Sequence, residues 1–137
     1  MVRTLTVPGR YDQLEAVCQF VTVAAELAEL GEKEIAHCQL AVDEACTNVI
    51  EHGYGGENVG NIEVRCEVAP GILTITIHDS ARPFDPAHAP APNVAPTSLD
   101  DLRIGGLGLH FMRQVMDEVQ FSYENGGNTL KLVKQKK

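Results

Sequence analysis

The chain has 137 residues, of which 44% are hydrophobic and 22% charged, and its mean hydropathy is −0.09. These values exclude an intrinsically disordered chain, and the length fits one hydrophobic core, so we expect one domain over residues 1–137. No apolar run approaches the roughly 20 residues that a membrane helix needs, and the first residues lack the apolar segment of a secretory signal. The composition therefore predicts a cytoplasmic protein that does not interact with membranes.

The charge is acidic over most of the chain. Eleven basic residues stand against 19 acidic ones, a net charge of −8. Four of the lysines lie in the last seven positions, so the first 130 residues alone carry a net charge of −12. Such a surface repels nucleic acid, and we expect no direct nucleic-acid contact. A basic or amphiphilic protein partner is compatible with this charge.

The cysteines have neither the spacing of a zinc site nor that of a redox motif. Cys18, Cys38, Cys46 and Cys66 form no CxxC pair, and the five histidines are scattered. A chain of this length needs no disulfide to be stable. We expect these cysteines to be small core residues.

The predicted elements begin with a short strand at residues 4–7, followed by helices at residues 11–30 and 32–52. Apolar residues recur at spacings of three and four in both helical segments. Gly31 is expected to end the first helix, and Gly53 and the glycines after it are expected to end the second.

The second half of the chain predicts two hairpins with a helix between them. Apolar residues alternate at residues 62–68 and 73–77, on either side of a Pro-Gly turn. The remaining predicted elements are a helix at residues 107–117 and strands at residues 119–123 and 129–133. This order of elements predicts an α/β two-layer sandwich, in which helices cover one face of a mixed, mostly antiparallel sheet.

Residues 80–104 show neither helical nor strand periodicity and hold five of the seven prolines. A loop of this length is uncommon in a small domain. Such a segment is commonly either a lid or binding loop, or a disordered linker, and the composition does not decide between them.

The second helix carries a polar row beside its apolar stripe. Glu44, Asn48 and His52 follow one another at spacings of four, so their side chains share one face. A carboxylate beside a carboxamide can hold a hard cation such as Mg²⁺, with the amide oxygen as ligand and the carboxylate as proton acceptor. The alternative is a solvated helix face, because Glu and Asn are ordinary surface residues.

Asp79 has the same alternating parity as Leu73, Ile75 and Ile77, and so is predicted to face the covered side of the sheet. An acid in that position needs a partner, and it could accept a hydrogen bond from an amino group of a ligand. The alternative is that the strand ends at His78 and that Asp79 only begins a turn.

Gly105, Gly106 and Gly108 lie at the start of the third predicted helix. Glycines allow close approach of a ligand, and the N–H groups of a helix start attract phosphate. The pattern is not a P-loop, since GxxxxGK[ST] is absent, and glycines also make tight turns.

Three segments together resemble the boxes of the GHKL (histidine kinase-like) ATP-binding fold, also called the Bergerat fold. Residues 43–54, D-E-A-C-T-N-V-I-E-H-G-Y, resemble its N box. Residues 79–86, D-S-A-R-P-F-D-P, resemble the first glycine box, and residues 105–113, G-G-L-G-L-H-F-M-R, the second. The E-H-G-Y and P-F-D-P phrases are most similar to the anti-sigma factor serine-protein kinases of the RsbW and SpoIIAB type.

The resemblance implies a role for each site residue. Glu44 would be the catalytic base, Asn48 the Mg²⁺ ligand, and Asp79 the acceptor for the adenine amino group. Residues 80–104 would form the ATP lid, and either Asn128 or Thr129 would supply the polar residue that opens the last strand. The other positions implied to bind ATP are Ala81, Gly106, Leu107, Gly108 and Leu109.

The implied activity is Mg-ATP-dependent phosphorylation of a serine or threonine on an anti-anti-sigma (STAS-type) protein, with reversible capture of a sigma factor. The resemblance also implies a homodimer. One position departs from the family pattern, because Ala81 stands where the first glycine box usually has Gly. Its methyl group could narrow the pocket or be absorbed by a small shift. The alternative function is therefore a module that sequesters a partner and either binds ATP without catalysis or binds no nucleotide.

Overall fold

The computed structural model of the chain describes residues 1–83 and 106–137. The predicted lid at residues 80–104 lies outside the described residues from residue 84 onward. Short 3₁₀ and π segments lie at Tyr11–Gln13 and Val49–Gly53. The strands and α-helices are β1 (Val2–Pro8), α1 (Leu14–Leu27), α2 (Glu32–Asn48), β2 (Asn61–Ala69), β3 (Ile72–Asp79), α3 (Gly106–Val115), β4 (Glu118–Glu124) and β5 (Gly127–Gln135).

The five described strands form one sheet in the order β1-β2-β3-β5-β4. Each neighbouring pair is antiparallel, which confirms the predicted mostly antiparallel sheet. Because β3 and β5 are central neighbours, the last residue of β3, Asp79, lies opposite Asn128 near the start of β5. This pairing brings Asp79 and Asn128 together at one end of the sheet.

The core lies between the sheet and the helices. In β2 and β3, inward residues such as Ile62, Val64 and Ile75 are fully buried, while their chain neighbours are more exposed. The helices contribute Val17 and Val42 to the same core. Burial of each such side chain adds about 1.5–3 kcal/mol to the free energy of unfolding. The alternation in β2 and β3 therefore keeps one face of the sheet against the helices.

The predicted end of the first helix is wrong. Helix α1 ends at Leu27, and Glu29 takes a left-handed conformation with φ of 65°. The N–H of Leu30 donates to the carbonyl of Ala25 at 3.1 Å, and buried Leu30 completes a Schellman-type cap. Gly31 is instead the N-cap of α2, with extended backbone.

The second helix changes its hydrogen-bond pattern before it ends. After Asn48 the chain continues as a π turn over Val49–Gly53, and the N–H of Tyr54 donates to the carbonyl of Val49 at 2.8 Å. Gly55 and Gly56 follow with φ of 75° and 152°, which only glycine adopts readily. The predicted end near His52 therefore holds, and the π turn is a feature that the periodicity does not show.

The expectation of core cysteines holds for three of the four. Cys38, Cys46 and Cys66 are fully buried, Cys18 is half-buried, and all four thiols are free. Among the described residues, no helix is both long and apolar enough to cross a membrane.

Candidate functional site

Glu44 lies under the start of α3. A Cβ atom added to Gly108 would overlap the Glu44 carboxylate and approach its Cδ and Cγ at 2.6 and 2.7 Å. The Glu44 side chain is half-buried rather than solvated, so the interpretation of this row as an ordinary solvated face does not hold at Glu44. The absence of a side chain at Gly108 allows α3 to begin directly on this carboxylate.

Asn48 is the last residue of α2, one turn beyond Glu44. Its Oδ1 atom is buried and has no hydrogen-bond partner within the described part of the chain. Leaving a buried amide oxygen unpaired costs about 1–3 kcal/mol. An oxygen of this kind is a suitable ligand for Mg²⁺.

The described residues offer one buried, unpaired oxygen, Oδ1 of Asn48, to a magnesium ion. Within residues 1–83 and 106–137, no group of three or more His, Cys, Asp or Glu side chains is placed to hold an ion. Mg²⁺ in nucleotide sites commonly uses one or two protein oxygens and completes its shell with phosphates and waters. A single oxygen from Asn48 is consistent with that arrangement.

Asp79 is buried at the end of β3, with 6% of its surface exposed. The strand continues through Asp79, so the alternative that it ends at His78 is wrong. Oδ1 accepts hydrogen bonds from the Ala81 N–H at 2.8 Å and from Nδ2 of Asn128 at 3.0 Å. Both bonds fall on one oxygen, which leaves Oδ2 without a donor from the described residues.

The sequence left open whether Asn128 or Thr129 belongs to the site, and in the structure Asn128 is the one that contacts Asp79. Its Nδ2 atom donates both to Asp79 and, at 2.8 Å, to the carbonyl of Arg82. Thr129 points to the other face of the sheet, where its Oγ1 lies 3.0 Å from Nδ1 of His78. The alternation along the strand indicates this choice, because Asn128 has the same parity as the buried Leu130 and Leu132.

Ala81 places its methyl group against the π turn. A Cβ added to Gly53 would lie 3.1 Å from the Cβ of Ala81. Ala81 itself is buried. The methyl group that departs from the family pattern therefore occupies space left open by a glycine.

The start of α3 supplies backbone groups to the site. Gly106 is the first residue of the helix, and the first N–H groups of a helix have no partner within it. Leu109 is buried in the core beside Met112 and Met116, so only its backbone is available to a ligand. The side chain of Leu107 lies outside the described residues.

The site thus brings four elements together. The end of α2 contributes Glu44 and Asn48, the end of β3 contributes Asp79, and the starts of β5 and α3 contribute Asn128 and Gly108. The arrangement offers a buried acceptor for an amino group, an unpaired oxygen for a cation, helix N–H groups for phosphate and a carboxylate to accept a proton.

Comparison with known families gives a match over nearly the whole chain. Residues 7–134 match the family model described as the histidine kinase-like ATPase domain. The chain is 36% identical over 104 residues to the serine-protein kinase RsbW of Bacillus velezensis (strain DSM 23117 / BGSC 10A6 / LMG 26770 / FZB42), covering 74% of this chain and 64% of the relative. It therefore spans less than two thirds of that relative's length.

A second relative is covered more completely. The anti-sigma F factor of Clostridium novyi (strain NT) is 34% identical over 119 residues, which is 85% of this chain and 82% of the relative. Among solved structures, the RsbU and RsbW domains of a Mycobacterium tuberculosis protein superpose with a TM-score of 0.68 at 18% identity, covering 98% of this chain and 32% of that one. The catalytic domain of the histidine kinase ThkA gives a TM-score of 0.58 at 12% identity, with 98% of both chains covered.

Proposed function

This chain belongs to the histidine kinase-like ATPase domain family, and from that premise we propose that it is a protein kinase that uses Mg-ATP to phosphorylate a serine or threonine. The observation that carries the proposal is the buried Asp79, whose Oδ1 is held by two internal donors while Oδ2 receives none from the described residues. A carboxylate fixed in this way at the end of a central strand can select an amino group of a purine.

The remaining residues would serve the phosphate end of the nucleotide. Asn48 would ligate the magnesium ion through its buried Oδ1, and Gly106 with Gly108 would let backbone N–H groups of α3 meet the phosphates. Leu107 and Leu109 would contribute through their backbone. When bound, magnesium offsets the negative charge of the phosphates.

Glu44 would act as the general base. In the proposed transfer, the hydroxyl oxygen of the partner's serine or threonine forms a bond to the terminal phosphorus as the bond to ADP breaks. The hydroxyl proton passes to the Glu44 carboxylate. The contact between Glu44 and Gly108 supports this role, because it places the carboxylate beside the helix start that would hold the phosphates.

We extend the proposal to partners from the names of the relatives, which include a serine-protein kinase and an anti-sigma F factor. The phosphorylated protein would be an anti-anti-sigma protein of the STAS type, and the captured partner would be a sigma factor. The chain would act in the cytoplasm as a homodimer. The acidic charge of the first 130 residues favours contact with protein over contact with nucleic acid.

The alternative of a module without nucleotide rested on Ala81. In the structure its methyl group is directed at Gly53, and the Ala81 N–H donates to Asp79. The methyl group packs against Gly53, and the N–H that Asp79 accepts would be present with either residue. Ala81 therefore does not argue against a nucleotide site, and we prefer the kinase.

The first test is calorimetric titration with ATP, with and without magnesium, of the wild type and Asp79→Asn. An amide has only one acceptor oxygen, so Asn at this position cannot accept from Ala81, Asn128 and a ligand as the carboxylate does. We expect the variant to weaken ATP binding about tenfold or more. Asp12→Asn, which changes an exposed carboxylate paired with Arg10, is the matched control and should leave binding unchanged.

The second test is transfer of labelled phosphate from ATP to anti-anti-sigma proteins from the same genome. Phosphorylation on serine or threonine supports the kinase. ATP binding with no transfer to any of them would instead favour the non-catalytic module, and the absence of ATP binding would contradict the nucleotide site itself.

A further inference from the structure

Three consecutive residues beyond α2 contact three consecutive residues after β3, in reverse order. The carbonyl of His52 accepts a hydrogen bond from Arg82 at 3.2 Å. Gly53 lies against the methyl group of Ala81. The hydroxyl of Tyr54 accepts the Ser80 N–H at 2.9 Å.

The Tyr54 ring is held in a fixed position. Its hydroxyl also donates to the carbonyl of Asn61 at 2.5 Å, at the start of β2. A Cβ on Gly60 would lie 2.5 Å from the Cζ atom of the ring, and a Cβ on Gly9 would lie 3.4 Å from Cδ2. The ring therefore fills a slot that two glycines leave open, and its hydroxyl is a rigid acceptor for Ser80.

The contacted residues carry the buried carboxylate of the site. Asp79 directly precedes Ser80 and accepts the N–H of Ala81, while Asn128 connects Asp79 to the carbonyl of Arg82. Any shift of residues 80–82 therefore moves the donors of Asp79 and with them its orientation.

The π turn connects this contact to α2. Glu44 and Asn48 lie on α2, and the helical path continues through Val49–Gly53 to Tyr54. A π turn adds a residue to the hydrogen-bonded ring and is often found at functional sites. One continuous segment thus carries the residues of the proposed phosphate end and contacts the turn of the proposed adenine end.

We infer that residues 52–54 are a positioning segment, in which the Tyr54 hydroxyl and the space at Gly53 hold the Ser80–Arg82 turn so that Asp79 meets the amino group of adenine. The inference rests on the proposed function, because it assigns Asp79 to adenine. Tyr54 and Gly53 do not touch the reacting atoms, and they act through the turn.

The test separates positioning from general stability by changing the ligand. Tyr54→Phe removes one oxygen, keeps the ring in its slot and leaves the Ser80 N–H without its acceptor. We expect the affinity for ATP to fall about twofold to tenfold, the net contribution of a typical hydrogen bond. The affinity for purine riboside triphosphate, which lacks the amino group, should change much less, because that ligand gives Asp79 nothing to accept.

A second pair of variants tests the space at Gly53 independently of Tyr54. Gly53→Ala pushes on the Ala81 methyl group at 3.1 Å and should weaken ATP binding, whereas Gly53→Ala combined with Ala81→Gly should restore it. Tyr123→Phe, at a half-exposed tyrosine on β4, is the matched control for removal of a phenol oxygen and should bind both triphosphates as the wild type does.

The outcomes distinguish the two proposals. A wild type that binds neither triphosphate overturns the proposed function and this inference with it. A wild type that binds ATP, with Tyr54→Phe weakening both triphosphates equally or weakening neither, overturns the inference alone. The inference is also overturned if Gly53→Ala weakens ATP binding and the added Ala81→Gly change does not restore it.

Discussion

Glu44 is a half-buried carboxylate whose position depends on the glycine opposite it. Gln at this position has nearly the same size and would keep the contact with Gly108, but it cannot accept a proton from a hydroxyl. We predict that Glu44→Gln lowers the initial rate of phosphate transfer by about 10² to 10⁴ while ATP binding stays at the wild-type level. Phosphate transfer and calorimetric titration on the same preparation would measure both.

Asp43→Asn is the control for this change, because Asp43 is the neighbouring carboxylate and is exposed on the helix surface. It should leave the transfer rate unchanged. Transfer at the wild-type rate in Glu44→Gln would remove Glu44 from the role of base.

At individual residues, the periodicity of the sequence predicted which side chains face the core. The alternation along β3 placed Asp79 on the covered face, and the structure finds it buried there. Tyr54 was not predicted as a positioning residue, because its role depends on glycines at two distant positions, Gly9 and Gly60. Such a slot forms only when the chain has folded, and no spacing in the sequence shows it.

The start of α2 is stabilised by an acid from its own first turn. Oε1 of Glu34 accepts the N–H of Gly31 at 3.1 Å, and this bond lowers the pKa of Glu34 below its ordinary value of 4.5. Since the folded state prefers the charged form, this stabilisation is present above the ordinary carboxyl pKa and is lost as the pH falls through the lowered one.

We predict that Glu34→Gln lowers the midpoint of thermal unfolding by a few degrees at neutral pH. The difference from the wild type should shrink under acid, where the wild-type carboxyl becomes protonated. Glu32→Gln removes an equal charge from the same first turn at an exposed position and controls for the helix dipole. Equal losses in the two variants would show that the general charge of the first turn, and not the charge-assisted strength of the bond to Gly31, stabilises this end.

The errors at the element scale arise at helix ends. Glycine is the usual left-handed cap, which predicts Gly31 at the end of α1. In the structure Glu29 takes that conformation, and Gly31 is the N-cap of the next helix. The buried Leu30 gives the physical reason, since its contact with the core compensates for strain at Glu29. The π turn escaped prediction because its hydrogen bonds alter the backbone without altering which residues are apolar.

At the scale of the whole molecule, the site is a product of topology. The pairing of β3 with β5 brings Asp79 to Asn128 across 49 positions of sequence, and the packing of α3 on α2 brings Gly108 to Glu44. The order of elements predicted the two layers, but the strand order β1-β2-β3-β5-β4 was not derivable from periodicity. The contacts that complete the site could therefore be identified only from the structure.

The buried cysteines offer a measurement of how nucleotide stabilises the whole fold. Burial raises the pKa of Cys38, Cys46 and Cys66 to about 12, so these thiols are protonated at pH 8 and shielded from reagents. They react with an alkylating agent only when the core opens, since the thiolate is the reactive form. The half-buried Cys18 should react first in the native protein.

A ligand that binds only the folded state lowers the open population in proportion to its concentration over its Kd. We therefore predict that Mg-ATP at about 100 times its Kd slows alkylation of the three buried thiols about 100-fold, as followed by mass spectrometry of peptides. The same nucleotide concentration should protect Asp79→Asn much less, because that variant binds ATP more weakly. Protection confined to Cys18, or equal in both proteins, would contradict a nucleotide site that depends on Asp79 and stabilises the whole core.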